Sequence, residues 1–266
     1  MPADCSTKEQ TTQTPILELR NVSHTYQARK DEIEAIRDIN LAVFPHEFLC
    51  VLGPSGCGKR TILGLLAGFF QPAEGLALME GEPILGPDRE RGVVFQAETL
   101  YPWMNVRDNV AFGPRMQGVS REDCRTISDR YLKEMNLTAF ADKKTYELSG
   151  GMKQRVALAR VLANEPRVIL MDEPFGSLDA VTRIQMQSLV RSIWHHEKRT
   201  ILMITHDIDE ALSLGTRLLV MSPGPGTIEQ MHEVTFTDTA LRSETGRVAI
   251  SQEYVALRDE IFESIT

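Results

Sequence analysis

What this chain has little of narrows it first. Nowhere do its apolar residues run for the roughly 20 positions that a membrane-crossing helix needs; the longest apolar stretches, such as 168–171 and 201–204, are strand-sized. Basic residues are in the minority: Lys and Arg total 29 against 37 Asp and Glu, a formal net charge of -8. Phosphate-backbone binding needs a basic face, so no nucleic-acid partner is expected. The four cysteines, Cys5, Cys50, Cys57 and Cys124, show no metal-ligand spacing. They read as reduced thiols of a protein kept in the cytoplasm. Residues 1–15 are polar and rich in Thr and Gln, without the apolar stretch of a targeting segment, and read as a disordered leader. There are no internal repeats.

What is present is a chain of 266 residues, 42% hydrophobic, enough for one large domain or one domain with an inserted lobe. From Ile16 the pattern is strand-like, with Ile16, Leu17, Leu19 and Val22 followed by Ile39, Leu41 and Val43. Short apolar strands are expected at 47–52, 92–95, 168–171, 200–204 and 218–221. Helices are expected at 59–67, stopped by Gly68, and at 155–163 and 178–195. Residues 105–147 are charged, helix-prone and free of β-rich runs. They read as the heart of a helical lobe inserted over about 97–165. Strands alternating with helices imply an α/β fold with a mostly parallel sheet covered on both faces. Residues 222–226 form a Pro/Gly turn cluster. A closing helix over 250–266 is expected to place Ile250, Tyr254, Leu257, Ile261, Phe262 and Ile265 along one face.

Between the strand at 47–52 and the helix at 59–67 stand Gly53, Pro54, Ser55, Gly56, Cys57, Gly58 and Lys59. Strand, glycine loop and helix in that order are the context of the Walker A motif. Glycines let backbone N–H groups turn toward phosphate, and the helix start adds the positive end of its dipole. Lys59 is expected to bridge the β- and γ-phosphates of ATP. The next position should carry a hydroxyl for Mg2+, yet it holds Arg60, with Thr61 following. A helix turns about 100° per residue, so Thr61 does not take over that ligand position. Arg60 is expected to lie on phosphate or to swing to solvent.

The apolar run at 168–171 ends in Asp172 and Glu173, the Walker B pattern, with Asp172 expected on Mg2+ and Glu173 expected to activate water. Gln96, at a strand end, is expected to reach metal or water, and His206, after the strand at 200–204, the γ-phosphate. Leu148, Ser149, Gly150, Gly151 and Met152 open a second helix with a hydroxyl and two glycines, another start suited to an anion.

Together these motifs resemble those of ABC transporter ATP-binding subunits over nearly the whole chain after residue 15. The resemblance implies a P-loop core over 16–249, with an antiparallel β subdomain and the helical insertion. It identifies Ser149, Gly150, Gly151 and Met152 with the family's signature motif, with Met152 where Gln is commoner. It also identifies Asp179 with the D-loop and Tyr26 with the aromatic that stacks on adenine. The segments at 90–96, 100–103 and 106–113 resemble the nitrate/sulfonate/taurine importer branch, and most of all its taurine-type members.

The resemblance further implies a head-to-tail homodimer binding ATP and Mg2+, each ATP lying between one copy's loop and the other's signature motif. It implies integral-membrane permease subunits as partners, an extracytoplasmic solute-binding protein acting indirectly, and a peripheral place on the cytoplasmic face of the membrane. Trp103 and Met104 read equally well as lining a permease-docking groove and as core. Three functions are open at this point: an importer ATPase; a soluble ABC-type ATPase outside transport; and, because of Arg60, a nucleotide-binding subunit with weak or no hydrolysis.

Overall fold

The structure is a computed structural model, and it describes residues 14–27, 32–96, 99–242 and 248–265. Most of the leader expected over 1–15 lies outside the described residues. In chain order the first half comprises β1 (Leu17–Gln27), β2 (Glu32–Val43), β3 (Phe48–Leu52), α1 (Lys59–Ala67), β4 (Glu74–Met79), β5 (Glu82–Pro83), β6 (Arg91–Val94), α2 (Val106–Met116) and α3 (Arg121–Glu134). The second half comprises α4 (Gly150–Leu162), β7 (Val168–Asp172), α5 (Ala180–Glu197), β8 (Thr200–Ile204), α6 (Ile208–Leu214), β9 (Arg217–Met221), β10 (Ile228–Glu233), α7 (Phe236–Arg242) and α8 (Gln252–Ile265).

These strands make two sheets. One is antiparallel, in the order β2-β1-β4-β5; the other has the order β10-β9-β3-β8-β7-β6 and is parallel except for its β10–β9 edge. The parallel strands β3, β7 and β8 are buried at every position, which is why they read in sequence as unbroken apolar runs. Alternate side chains serve different cores. Phe48, Cys50 and Leu52 face a cluster shared with α4 and α5, while Leu49 and Val51 face one shared with α1 and the antiparallel sheet. Helices α2, α3 and α4 follow β6 and precede β7, and they pack on one another through Val110, Tyr131, Leu132 and Val156.

The closing helix differs from its expectation. Tyr254 and Ile261 are buried, but Phe262 is 57% exposed and Ile250, at 77% exposed, precedes the helix. Helix α8 packs on α6 and β9, and its Tyr254 ring meets Phe236 of α7 edge-on, so it buries a narrow stripe with positions seven apart facing inward. No helix among the described residues is long and apolar enough to cross a membrane.

The fold matters to function through one edge. Strands β3, β6, β7 and β8 are mutually parallel, so their carboxyl ends emerge together. From those ends come, in turn, the 53–58 loop, Gln96, Asp172 with Glu173, and His206. Ligands of open α/β sheets bind at this carboxyl edge.

Candidate active site

The loop owes its shape to its glycines. Gly58 stands just before α1 with φ 92, in the left-handed region, and a side chain there would run into Ile36 and the Ala35 backbone. Only glycine meets both demands cheaply. The first turn of α1 has no side-chain cap, so its N–H groups are available to an anion. Lys59 is buried, and its Nζ donates to the carbonyl oxygens of Gly53 at 2.6 Å and Pro54 at 2.8 Å. The ammonium is thus held over the loop by the loop's own backbone.

A cleft of about 920 Å³ opens in front of it. Ser55, Gly56, Gly58, Lys59, Arg60 and Thr61 line its polar wall, and Tyr26 with Ile33 line an apolar one. Cys57 is buried beneath the loop rather than in the cleft wall. The Tyr26 hydroxyl shares a hydrogen bond with Thr61 Oγ1 at 3.2 Å, and its ring meets His24 edge-on with centroids 4.8 Å apart. Ile33 escaped the sequence reading, although it is paired directly with Tyr26 across β1 and β2. The strand register would have found it.

On the other side of the cleft, Asp172 ends β7 and Glu173 follows with φ 45. The Glu173 N–H donates to the Ile204 carbonyl at 3.0 Å and closes the β7–β8 ladder, and the left-handed φ then turns the chain off the strand. A left-handed non-glycine residue costs about 1–3 kcal/mol and is often retained at functional positions. The Glu173 carboxylate gathers the neighbouring candidates: its Oε2 accepts from Gln96 Nε2 at 3.0 Å and lies 3.3 Å from His206 Nδ1. Glu173 and His206 line the cleft.

Arg60 turns onto the end of β7. Its Nε donates to both oxygens of Asp172, at 3.0 and 2.9 Å, and a terminal nitrogen donates to Gln96 Oε1. Asp172 is nearly buried and needs a partner, and the first turn of α1 puts a guanidinium within reach. The hydrogen bond to Asp172, first, raises the arginine's pKa above its ordinary value. This arrangement does not fit Mg2+. The hydroxyl ligand is missing, and both residues expected to hold the ion, Asp172 and Gln96, already accept from Arg60. Among the described residues there is no cluster of three or more His, Cys, Asp or Glu suited to a metal.

The second helix start lies elsewhere. Ser149 caps α4, its Oγ accepting from the Met152 N–H at 3.4 Å, and Ser149 and Gly150 are exposed. A side chain on Gly151 would strike Thr182 of α5. Asp179 caps α5, its Oδ1 accepting from the N–H groups of Val181 and Thr182, both at 3.1 Å. None of Ser149, Gly150, Gly151, Met152 or Asp179 lines the cleft that Lys59 lines. Trp103 is 68% exposed and belongs to the surface, not the core.

A family model described as ABC transporter matches residues 36–176. The taurine import ATP-binding protein of Roseobacter denitrificans is 48% identical over 250 residues, 94% of this chain and 93% of that protein. An uncharacterized ABC transporter ATP-binding protein of Methanocaldococcus jannaschii is 40% identical over 250 residues, 94% of each. Among solved structures, an ATP-binding cassette in a dimeric post-hydrolysis state, bound to ADP and Pi, matches with a TM-score of 0.74 at 32% identity. That match covers 82% of this chain and 99% of the other.

Proposed function

Because this chain belongs to the ABC transporter family of ATP-binding proteins and is an ATPase of that family, we propose that it powers an importer of a small sulfonate-type anion such as taurine. Its relatives named for taurine import, and its own segments at 90–113, support the solute class. A separate permease and an extracytoplasmic binding protein choose the solute, and the chain sits peripherally on the cytoplasmic face beneath the permease.

One observation carries the nucleotide reading: Lys59, held by the loop's carbonyls at the uncapped start of α1. Loop N–H groups and Lys59 bind the phosphates, and Tyr26 stacks on the base. Glu173 orients the attacking water, with Gln96 and His206 holding its carboxylate. Two copies pair head to tail, so that Ser149, Gly150, Gly151 and Met152 of one copy complete the phosphate site of the other, with Asp179 beside that junction. The dimeric cassette of similar fold supports such pairing. The exposed Trp103, with the helical lobe, is assigned to the permease. With Asp172 and Gln96 both engaged by Arg60, the Mg2+ expected beside ATP finds neither of its expected ligands free.

Lys59→Ala removes a charge-assisted contact worth about 1.5–3 kcal/mol, so ATP binding should weaken about tenfold or more by calorimetry. Equal affinity in variant and parent would take Lys59 out of the site. Arg60 spanning Asp172 and Gln96 favours a second reading of the same subunit, in which turnover is slow. Arg60→Ser is then expected to raise ATPase activity of the assembled transporter at least about tenfold; an unchanged rate would dismiss that reading.

A further inference from the structure

Every polar group that Arg60 reaches is one that a metal-assisted site needs unoccupied. Its Nε donates to Asp172 Oδ1 at 3.0 Å and Oδ2 at 2.9 Å, and a terminal nitrogen donates to Gln96 Oε1. Gln96 passes the connection on, donating from Nε2 to Glu173 Oε2 at 3.0 Å, and His206 Nδ1 lies 3.3 Å from that same oxygen. Five side chains from four separate segments therefore form one connected set with a cation at its head. A hard divalent cation binds through oxygens. Here the carboxylate and amide oxygens in question accept from a guanidinium, and arginine itself offers only donors. The guanidinium is always protonated and repels a second cation placed beside it.

The same charge answers a need of a cleft without metal. A nucleoside triphosphate carries several negative charges, while Glu173 lines the cleft and Asp172 lies just behind Arg60. Without a compensating cation these carboxylates would oppose the ligand. Lys59 and Arg60 supply two positive charges against the two carboxylates, so the four residues are formally neutral before ligand enters. Arg60 can also follow the ligand: its side chain is 61% exposed while that of Asp172 is 13% exposed. A terminal nitrogen of the guanidinium can therefore meet a phosphate oxygen while Nε stays on Asp172.

We infer that Arg60 is a tethered cation standing in place of the divalent ion, so that the cleft takes a nucleoside triphosphate without metal. This deepens the reading of the cleft as an ATP site and rests on it. The departure from the family pattern is then a change of ligand form: metal-free nucleotide binds about as well as its magnesium complex.

The test is equilibrium binding of ATP to the full chain and to Arg60→Ser, by calorimetry, in EDTA and in excess Mg2+. Chelation is expected to change the parent's Kd by less than about threefold. Arg60→Ser is expected to bind at least about tenfold more weakly in EDTA than in Mg2+, a gap of about 1.4 kcal/mol. A parent that binds ATP tenfold or more tightly with Mg2+ than with EDTA overturns the assignment. Electron paramagnetic resonance of Mn2+ added with ATP gives a readout independent of affinity. A spectrum of protein-ligated Mn2+ is expected from Arg60→Ser and not from the parent, and its appearance in the parent also overturns the assignment. The parent's response to chelation decides the matter even if the variant does not fold. No ATP binding by the parent in either buffer would instead sink the ATP-site reading, and this inference with it.

Discussion

Tyr26 keeps 42% of its surface exposed at the cleft while His24 and Phe70 hold its ring from the side, with centroids 4.8 and 5.9 Å away. A ring fixed in this way presents a ready platform to a base. Tyr26→Ala should cost about 1–3 kcal/mol of ATP binding, a roughly five- to hundredfold loss by calorimetry, because base stacking on aromatics is worth that much. Tyr26→Phe should bind nearly as the parent, since it keeps the ring and gives up only the hydrogen bond to Thr61. Similar losses in both variants would assign the effect to the hydroxyl instead. At this scale the sequence was readable wherever the chemistry is local. The residues from Gly53 to Lys59 are contiguous, and each glycine has a backbone reason. The partner of Arg60 was not readable, because Asp172 stands 112 residues away and nothing in the pattern of either segment joins them.

Among the elements, α6 is anchored through a buried carboxylate. Its Glu210 is 5% exposed, yet it ties three pieces together: Thr205 after β8 donates to its Oε2 at 2.5 Å, and Gln187 of α5 donates to its Oε1 at 3.1 Å. Burial, first, raises its pKa above the ordinary carboxylate value, outweighing the hydrogen bonds from Thr205 and Gln187 that lower it. The folded protein therefore holds this proton more tightly than the unfolded chain. The stability it contributes is fully present below the unfolded value of about 4.3 and is lost as pH rises through the folded value. Glu210→Gln removes that dependence. Denaturant titrations should show the variant gaining on the parent as pH rises from about 4.3, then a constant difference above the folded value. A difference independent of pH would mean that Glu210 ionises in the fold as easily as in the open chain. The sequence did not show α6. Its seven residues sit directly between two strands and make only about two turns, too short a window for the amphipathic period to stand out. Strand β10 was missed for a related reason: its burial only alternates between half-buried and exposed, so it carries no apolar run. The buried strands β3, β7 and β8 were legible because both of their faces are covered.

At the scale of the molecule, the parallel sheet separates two cores, one under α1 and one under α4 and α5, while the catalytic candidates collect along its carboxyl edge. Under the proposed pairing, Glu173→Gln keeps the side chain's shape but removes the carboxylate that positions water. With saturating ATP it should accumulate as a dimer, seen as a doubled mass by light scattering. A variant that stays monomeric even beside its permease would refute head-to-tail pairing for this chain.

The exposed start of α4, set apart from its own cleft, carries a consequence at the level of alleles. In a head-to-tail pair, an injury at Lys59 and an injury at Ser149 on the same copy fall on different nucleotides. A cell that makes one copy damaged at Lys59 and another damaged at Ser149 forms mixed pairs in which one site bears both lesions and the other bears none. Under the proposed pairing, two alleles that each disable the protein are expected to complement one another in trans. Placed together on one copy and paired with an intact one, the same two lesions strike both sites and leave no whole site behind.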